Sequence, residues 1–488
     1  MDLIERINQW GRLTPDRPAH ISAGEVLTYR ELIAKSNLLA DHLINNLPQD
    51  KSPVGILGHK ENEMLIGFLG CVKSGHPYIP LDTSLPPQRV YAIVKTAEAS
   101  LLLKPEDIAD LTHREPSSRF EMRRPQMDDA WYIIFTSGST GDPKGVVISR
   151  ECLESFIGWI LDEQGFKDAG EIFLNQAPFS FDLSVMDLYS SLATGGTLFS
   201  ISKEEIAELR ALYQSFAISD ITTWVSTPSF ARMCLMDAGF KASLLPGVRK
   251  FWFCGETLAP DVAANLIQRF PQAEVWNTYG PTEATVATTS IHITRHILEK
   301  YPALPVGRAK PEALVEVHNS GGTSVPEGER GEIIIAGTNV GLGYIHRPDL
   351  TSKSFFEYKG WRAYRTGDAG HFQDNLLFFD GRLDFQIKLY GYRIEIGDIE
   401  ANLQALDNVQ DAVVIPAMVQ ERADHLVAFV IFKEPPSGSD FEHMQRLRKG
   451  LAARLPDYMV PRRFVFLREF PLTPNGKADR RKLAETLQ

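Results

Sequence analysis

Cysteine is scarce in this chain, with four among 488 residues. The four stand far apart, at Cys71, Cys152, Cys234 and Cys254, and no two of them form a CxxC pair. This spacing argues against a zinc site and against a disulfide framework. Because chains without disulfides are typical of reducing compartments, we expect a cytoplasmic protein.

Long apolar runs and an excess of positive charge are also missing. No apolar run approaches the roughly 20 residues that a membrane helix needs, so membrane insertion is not expected. Asp2 and Glu5 stand where a secretory signal would carry positive charge, which argues against export. The net charge of -11 argues against general binding of nucleic acids.

Strand-like and helix-like segments alternate along the chain, which is 43% hydrophobic and too long for one core. Strands are predicted at residues 53–58, 78–81, 100–103, 131–135, 146–149, 221–227 and 248–254, and helices at 61–75, 86–97 and 151–163. This order indicates an α/β region with parallel sheets covered on both faces. We place it at residues 1–383, followed by a small α+β domain at residues 384–488 with strands at 409–414 and 426–432.

The loop at residues 136–145, TSGSTGDPKG, follows the predicted strand 131–135 directly. Glycine lets backbone N–H groups approach an anion, the hydroxyls add donors, and Lys144 adds a positive charge. The loop is not a Walker A motif, because Lys144 is followed by Gly145 and not by serine or threonine. A flexible surface turn has a similar composition, but ten specified positions favour a phosphate-binding loop.

This loop resembles the phosphate-binding motif of the adenylate-forming superfamily, which includes acyl-CoA ligases, luciferases and the adenylation domains of peptide synthetases. Such enzymes activate a carboxylate with ATP and pass the acyl group to a thiol. The resemblance covers essentially the whole chain and implies stacked sheets covered by helices in the large region, with a hinge before the small domain. The ATP contacts it implies in the loop are Thr136, Ser137, Gly138, Ser139, Thr140 and Lys144.

A second motif, NTYGPTEAT at residues 277–285, follows an apolar strand at residues 273–276. It therefore lies at the carboxyl end of a strand, where open α/β sheets bind ligands. The resemblance implies that Tyr279 packs on adenine and that Asn277 meets its exocyclic amine. It also implies that Thr282 meets the α-phosphate and Glu283 holds Mg2+, an ion usually bound by one or two carboxylates plus substrate phosphates. Without the resemblance, a YGP turn is more often structural.

Two further stretches carry nucleotide and hinge residues by resemblance. In a predicted loop at residues 364–370, Asp368 would accept both ribose hydroxyls, and Arg382 would be a second nucleotide contact. Asp384 would be the hinge, and Gly391 would line the thiol channel of the second half-reaction. An exposed turn at Asp368 and an ordinary hairpin with Gly391 in its turn would have the same local patterns.

Near the end of the chain, Lys477 follows a Pro-Asn-Gly turn. Surface lysines in such turns are usually solvated. The resemblance makes Lys477 the catalytic lysine, which reaches the site from the small domain and stabilises the charge that develops at the α-phosphate. Rotation of that domain about Asp384 would then let one pocket catalyse adenylation and thiol transfer in turn.

Asp182 indicates an amino-acid substrate, because it matches the aspartate that pairs with the α-ammonium group in amino-acid-activating members. Alternatively, Asp182 could cap a helix at residues 183–194. Cys254 replaces a common glycine and would shrink the acyl pocket, although a buried cysteine is more often simple packing. The predicted substrate site is completed by Leu183, Gly280 and Val286. Within the superfamily the chain resembles free-standing ligases that load D-alanine onto the phosphopantetheine of a separate carrier protein for teichoic acid synthesis.

Charge is uneven along the chain and bears on this partner. Residues 384–488 are neutral overall, but residues 445–482 hold 11 basic and 3 acidic side chains. This excess indicates either a docking surface for an acidic carrier or a solvated helix face. Three other functions stay open: activation of another small amino acid, a short-chain acyl-CoA ligase, or a nucleotide-binding regulator without catalysis.

Overall fold

A computed structural model of the chain describes residues 2–113, 121–138, 142–166, 170–384, 386–389, 392–419, 422–434, 438–471 and 478–487. Its α-helices are α1 (Leu3–Leu13), α2 (Tyr29–Asn46), α3 (Asn62–Ser74), α4 (Pro87–Thr96), α5 (Pro105–Thr112), α6 (Arg150–Gln164), α7 (Leu183–Thr194), α8 (Lys203–Ala207), α9 (Leu209–Ile218), α10 (Pro228–Leu235), α11 (Pro260–Arg269), α12 (Arg295–Lys300), α13 (Pro348–Ser354), α14 (Ile396–Gln404), α15 (Asp440–Ala452) and α16 (Arg480–Glu485). Short 3-10 helices lie at Thr282–Ala284 and Asp457–Met459.

The strands of the described residues are β1 (Pro18–Ser22), β2 (Glu25–Thr28), β3 (Val54–Gly58), β4 (Tyr78–Asp82), β5 (Leu101–Leu103), β6 (Ala130–Thr136), β7 (Lys144–Ser149), β8 (Ile172–Asn175), β9 (Thr197–Ser200), β10 (Thr223–Ser226), β11 (Lys250–Phe253), β12 (Glu274–Tyr279), β13 (Thr289–His292), β14 (Arg308–Ala309), β15 (Ala313–His318), β16 (Gly331–Gly337), β17 (Gly343–Tyr344), β18 (Phe355–Tyr358), β19 (Trp361–Gln373), β20 (Leu376–Arg382), β21 (Gln386–Leu389), β22 (Tyr392–Glu395), β23 (Val409–Val419), β24 (Arg422–Phe432) and β25 (Arg463–Phe466).

The chain divides into two compact units. The first consists of Met1–Asp82, Ala97–Ile134 and Gly145–Leu383. The second consists of Thr83–Thr96, Phe135–Lys144 and Asp384–Gln488. The end of the chain is therefore joined in the second unit by two earlier segments, one of which contains most of the phosphate loop.

Three sheets build most of the first unit in the described part of the chain. One has the order β14-β13-β12-β11-β10-β8-β9-β1-β2, a second the order β17-β7-β6-β4-β3-β5, and the third β15-β16-β19-β18 with β20 beside β19. The pairings among β8, β9, β10, β11 and β12, and among β3, β4 and β5, are parallel. These pairings confirm the predicted α/β class.

Apolar side chains from the first two sheets and their helices form the core of the first unit. Trp131, Trp224 and Trp252 are among its largest fully buried side chains. Helix α2 begins with a capping box, in which the Thr28 hydroxyl accepts from the Glu31 N–H and the Glu31 carboxylate accepts from the Thr28 N–H. This capping box fixes the start of α2, a helix that was not among the predicted ones.

The second unit contains an α+β core of its own. Strand β24 pairs antiparallel with β23 and parallel with β25. Helices α14 and α15 contribute Leu403, Leu447 and Leu451 to a buried cluster that includes Val414 and Val430. Strands β21 and β22 form a separate antiparallel pair.

The prediction of a loop at residues 364–370 was wrong, because these residues lie inside β19. Tyr364 pairs with Ile335, and Asp368 pairs with Arg382. Glycine and aspartate are typical of turns, which explains the wrong prediction. Here the register of β19 shifts near Asp368 in its pairings with both β16 and β20. Gly367 has a φ of 68°. A bulge places these residue types within a strand.

None of the described helices combines the length and the apolar character that crossing a lipid bilayer requires.

Candidate nucleotide and amino-acid site

The adenine-binding residues predicted by the second motif lie on β12. Asn277 is buried, and its Nδ2 donates to the carbonyl oxygen of Pro305 at 2.8 Å. This bond fixes the amide orientation, because only the nitrogen can donate to a carbonyl. The Asn277 Oδ1 is thereby the acceptor end, as the predicted contact with an exocyclic amine requires.

Tyr279, Asp368 and Arg382 form one hydrogen-bonded group. The Tyr279 hydroxyl donates to Asp368 Oδ2 at 2.6 Å, and Arg382 Nη1 donates to Asp368 Oδ1 at 2.7 Å. Arg382 Nη1 also donates to the carbonyl oxygen of Thr366 at 3.0 Å. Burial, and then the Asp368 carboxylate, raise the pKa of Tyr279 well above its ordinary value, so the phenol stays a donor.

The arrangement suits a ribose contact at Asp368, whose two oxygens each have further acceptor capacity. Asp368 is 2% exposed, and its backbone N–H donates to Thr366 Oγ1 at 3.0 Å. Hydrogen bonds therefore fix both the backbone and the carboxylate of this residue. The sequence predicted three separate nucleotide contacts. In the structure two of them, Tyr279 and Arg382, orient the third.

Glu283, predicted to hold Mg2+, is fully buried in the 3-10 helix Thr282–Ala284. Its Oε1 accepts from the Tyr344 hydroxyl at 2.7 Å, and its carbonyl oxygen accepts from the N–H of Gly341 at 2.9 Å. Thr282 is also buried. No group of three or more His, Cys, Asp or Glu side chains in the described residues could hold a metal ion.

These residues fit the way in which Mg2+ is usually bound, by one or two carboxylates together with substrate phosphates and water. Glu283 would supply the hard oxygen donor, and the Tyr344 hydroxyl orients its carboxylate. Sequence reasoning missed Tyr344, because it lies 61 residues from Glu283 and no local spacing connects the two.

The turn after Glu283 has an unusual backbone. Thr285 and Val286 have φ values of 56° and 67°, which is a rare conformation for β-branched residues. Asn339 holds this turn: its Nδ2 donates to the carbonyl oxygen of Ala284 at 2.9 Å, and its own carbonyl oxygen accepts from Thr285 Oγ1 at 2.7 Å. Strained turns that are fixed in this way concentrate at functional sites.

Three predicted substrate residues meet at the carbonyl oxygen of Val286. The buried Cys254 Sγ donates to this oxygen at 3.5 Å. A Cβ on Gly280 would lie 2.9 Å from the same oxygen and 2.6 Å from Cα of Ala287, so only glycine fits there. Cys254 therefore faces the strained turn, and its thiol is fixed by a backbone contact that the sequence did not predict.

Asp182 occupies the N-cap position of α7, but its side chain makes no capping hydrogen bond. The alternative of a simple helix cap is therefore not supported. Leu183, the other predicted substrate residue of this segment, is buried at the start of the helix.

Burial, and then the nearby Asp182 carboxylate, raise the pKa of Tyr132 well above its ordinary value. The Tyr132 hydroxyl is buried and has no hydrogen-bond partner in the described residues. Tyr132 lies in an apolar strand, and the sequence did not predict an unsatisfied polar atom there.

Residues 136–144 of the phosphate loop belong to the second unit. Gly138 is required there, since a Cβ would lie 2.1 Å from the carbonyl oxygen of Asp142. Thr136 Oγ1 lies 3.5 Å from the carbonyl oxygen of Lys144. The predicted ATP contacts Ser139 and Thr140 lie outside the described residues, as do Gly391, predicted to line the thiol channel, and Lys477, predicted to be catalytic.

Glu395 contacts two predicted phosphate-binding residues. Lys144 Nζ lies 3.2 Å from Glu395 Oε1, and the Glu395 N–H donates to Ser137 Oγ at 2.9 Å. Gln386 Nε2 also donates to Glu395 Oε1. Asp384, predicted as the hinge, is exposed and its Oδ1 accepts from the Gln386 N–H at 3.0 Å. Sequence reasoning assigned no role to Glu395.

The family described as "AMP-binding enzyme" matches residues 7–345, and "AMP-binding enzyme C-terminal domain" matches residues 398–477. Similar proteins include the D-alanine--D-alanyl carrier protein ligases of Bacillus cereus (strain Q1), 47% identical over 500 residues, and of Bacillus anthracis, 46% identical over 499 residues. Each comparison covers 99% of this chain and 99% of the relative.

Among solved structures, the Vibrio cholerae adenylation domain AlmE in complex with glycyl-adenosine-5'-phosphate matches with a TM-score of 0.85. The two are 23% identical, and the match covers 100% of this chain and 97% of that one. At this identity the likeness shows a shared fold. Together with the two family matches and the full-length relatives, it confirms the predicted resemblance, and the chain belongs to the AMP-binding enzyme family.

Proposed function

We propose that this protein is a ligase that activates D-alanine with ATP and transfers it to the phosphopantetheine thiol of a separate carrier protein, for D-alanylation of teichoic acids. The observation that carries the proposal is the full-length similarity to D-alanine--D-alanyl carrier protein ligases at 46–47% identity. Cys254 and Asp182 support the choice of substrate. A cysteine in place of a common glycine would narrow the acyl pocket, and a carboxylate at Asp182 suits a substrate with a free ammonium group.

In the first half-reaction, a carboxylate oxygen of D-alanine attacks the α-phosphorus of ATP and pyrophosphate leaves. Asn277 and the group formed by Tyr279, Asp368 and Arg382 hold the nucleoside. Asp182 pairs with the substrate ammonium, which needs a counter-charge in a poorly solvated site. These side chains fix the orientation of the two reactants, and orientation supplies much of the rate enhancement.

Charge at the phosphates is balanced by the phosphate loop, Thr282 and Lys477. Mg2+, held by Glu283, would neutralise part of the phosphate charge when it is bound. Lys477 stabilises the charge that develops at the α-phosphate.

In the second half-reaction, the carrier thiol attacks the acyl carbon, its proton is lost, and AMP leaves. The small domain at residues 384–488 would rotate about Asp384, withdraw Lys477 and admit the loop that carries Gly391. Exposed Arg446, Arg448 and Lys449 on α15 support docking of an acidic carrier on this domain. All four cysteines are free thiols and ATP is an intracellular reactant, so we place the reaction in the cytoplasm.

The proposal is tested by ATP–pyrophosphate exchange with a panel of D- and L-amino acids, acetate and propionate. Exchange with D-alanine above every other compound is the expected result. Preferred exchange with acetate or propionate would indicate an acyl-CoA ligase, and absence of exchange with all compounds would indicate a nucleotide-binding regulator.

A further inference from the structure

Lys60 is a buried lysine in the first unit, 2% exposed, that lies where two parallel strands end. Its Nζ donates to the carbonyl oxygens of Ile201 at 2.7 Å, Gln176 at 2.8 Å and Asn175 at 3.2 Å. Asn175 ends β8, and Ile201 follows the neighbouring strand β9. Lys60 therefore joins the carboxyl ends of two strands, at the edge where open α/β sheets bind ligands.

The three carbonyl partners select the charged form of Lys60, since only an ammonium group has three N–H donors. Burial lowers the pKa of Lys60 to about 7, and the carboxylates of Asp187 and Asp82 oppose this change. The backbone of Lys60 has a φ of 87°, a rare conformation for a residue with a side chain. Lys60 therefore combines a strained backbone with a buried charge, and each of these is energetically unfavourable on its own.

The segment that Lys60 holds leads directly into the proposed amino-acid site. Asn175 Nδ2 donates to Asp187 Oδ2 on α7 at 3.1 Å, and Asn175 Oδ1 accepts from Ser200 Oγ at 2.9 Å. Phe179 packs edge-on against Phe68 with ring centroids 5.5 Å apart. Asp182 lies between these anchors, six residues after Gln176 and five residues before Asp187.

We propose that Lys60 is a positioning residue for amino-acid binding: its three hydrogen bonds fix the segment between β8 and α7, and so place Asp182 against the substrate ammonium. The inference rests on the proposed function and assigns a role to a residue outside the motifs. Removing Lys60 would take away the lysine donor of the Ile201 and Gln176 carbonyl oxygens and one of two donors of the Asn175 carbonyl oxygen, which also accepts from the Ile201 N–H at 3.2 Å. This loss favours movement of the segment.

The test compares Lys60→Met with Lys73→Met. Lys73 is a matched control, because it is also fully buried, burial lowers its pKa to about 7, and its Nζ donates to Ser36 Oγ at 2.9 Å and Asn37 Oδ1 at 2.8 Å. Both changes are expected to lower Tm. Lys60→Met should raise the KM for D-alanine on the order of tenfold and leave the KM for ATP within about twofold, whereas Lys73→Met should change neither.

Two further variants keep the result interpretable. Lys60→Gln retains one amide donor and replaces Lys60→Met if the latter does not fold; it should raise the KM for D-alanine by a smaller factor. Lys60→Arg retains charge and several donors and should restore most of the affinity. An unchanged KM for D-alanine in the Lys60 variants, or an equal rise in both KM values, would overturn the inference. If the wild-type protein does not activate D-alanine, the proposed function fails instead.

Discussion

Glu395 and Lys144 form an ion pair, with Oε1 and Nζ 3.2 Å apart and both side chains about one-tenth exposed. Lys144 is the lysine that the loop motif assigns to a phosphate of ATP. In the described conformation its charge is matched by a carboxylate of the protein, so a nucleotide phosphate that binds Lys144 would compete with Glu395 for the same cation.

Glu395→Gln should therefore strengthen ATP binding. Removing the competing charge leaves the largely buried Lys144 ammonium less well compensated, which a nucleotide phosphate can relieve, so the KM for ATP in pyrophosphate exchange should fall several-fold. Glu400→Gln is the control, because it loses an ion pair with Arg480 in the same unit but does not contact Lys144. A KM for ATP that is unchanged or higher in Glu395→Gln would show that the pair does not oppose nucleotide binding.

Asp182→Asn should weaken amino-acid binding selectively. The change keeps the shape of the side chain and leaves the substrate ammonium without a counter-charge, at a cost of roughly 2 to 5 kcal/mol. The KM for D-alanine, measured by pyrophosphate exchange, should rise steeply, and the KM for ATP should hardly change. Unaltered D-alanine activation would return Asp182 to a purely structural role at the start of α7.

Cys254→Ala should broaden the substrate range without abolishing activity. The change removes the Sγ contact with the Val286 carbonyl oxygen and enlarges the pocket, so slightly larger amino acids should be activated, with a gain of about 1 to 3 kcal/mol per methylene. The preference for D- over L-alanine should shrink. Cys234→Ala, at a buried cysteine on α10, is the control. Complete loss of adenylation would instead make the thiol catalytic.

Lys477→Ala should separate the two half-reactions. Loss of one group that stabilises developing charge is expected to slow adenylation on the order of a hundredfold or more. Thioester formation from D-alanyl adenylate supplied to the enzyme should be largely spared, as single-turnover measurements can show. Equal loss in both steps would contradict the assignment of Lys477 to the first step alone.

Local patterns predicted the fold well where apolar runs were long. Strands β3, β4 and β6 and helix α7 lie within one or two residues of their predicted bounds, because continuous burial leaves a clear apolar run. Residues 364–370 were misjudged because a bulge uses the same glycine and aspartate as a turn.

The motifs also predicted that Tyr279, Asp368 and Arg382 serve one ligand, but not that they bond to one another. Tyr344, Asn339 and Lys60 were missed for a common reason. Each bonds to a residue of the predicted site, or of a segment that adjoins it, that is distant in sequence. A polar residue next to an apolar segment has no local pattern that reveals such a partner. Such contacts depend on how strands are ordered in the sheet, which motif spacing does not specify.

The central claim, that one protein activates D-alanine and charges a carrier, is tested most directly by loading of the carrier itself. Purified protein, ATP, Mg2+ and D-alanine are mixed with a D-alanyl carrier protein in its phosphopantetheinylated form, and the intact carrier mass is measured. The predicted result is a mass gain of one alanyl group that requires ATP, is reversed by hydroxylamine and is absent with the unmodified carrier. Pyrophosphate exchange with D-alanine but no gain in carrier mass would contradict the claim.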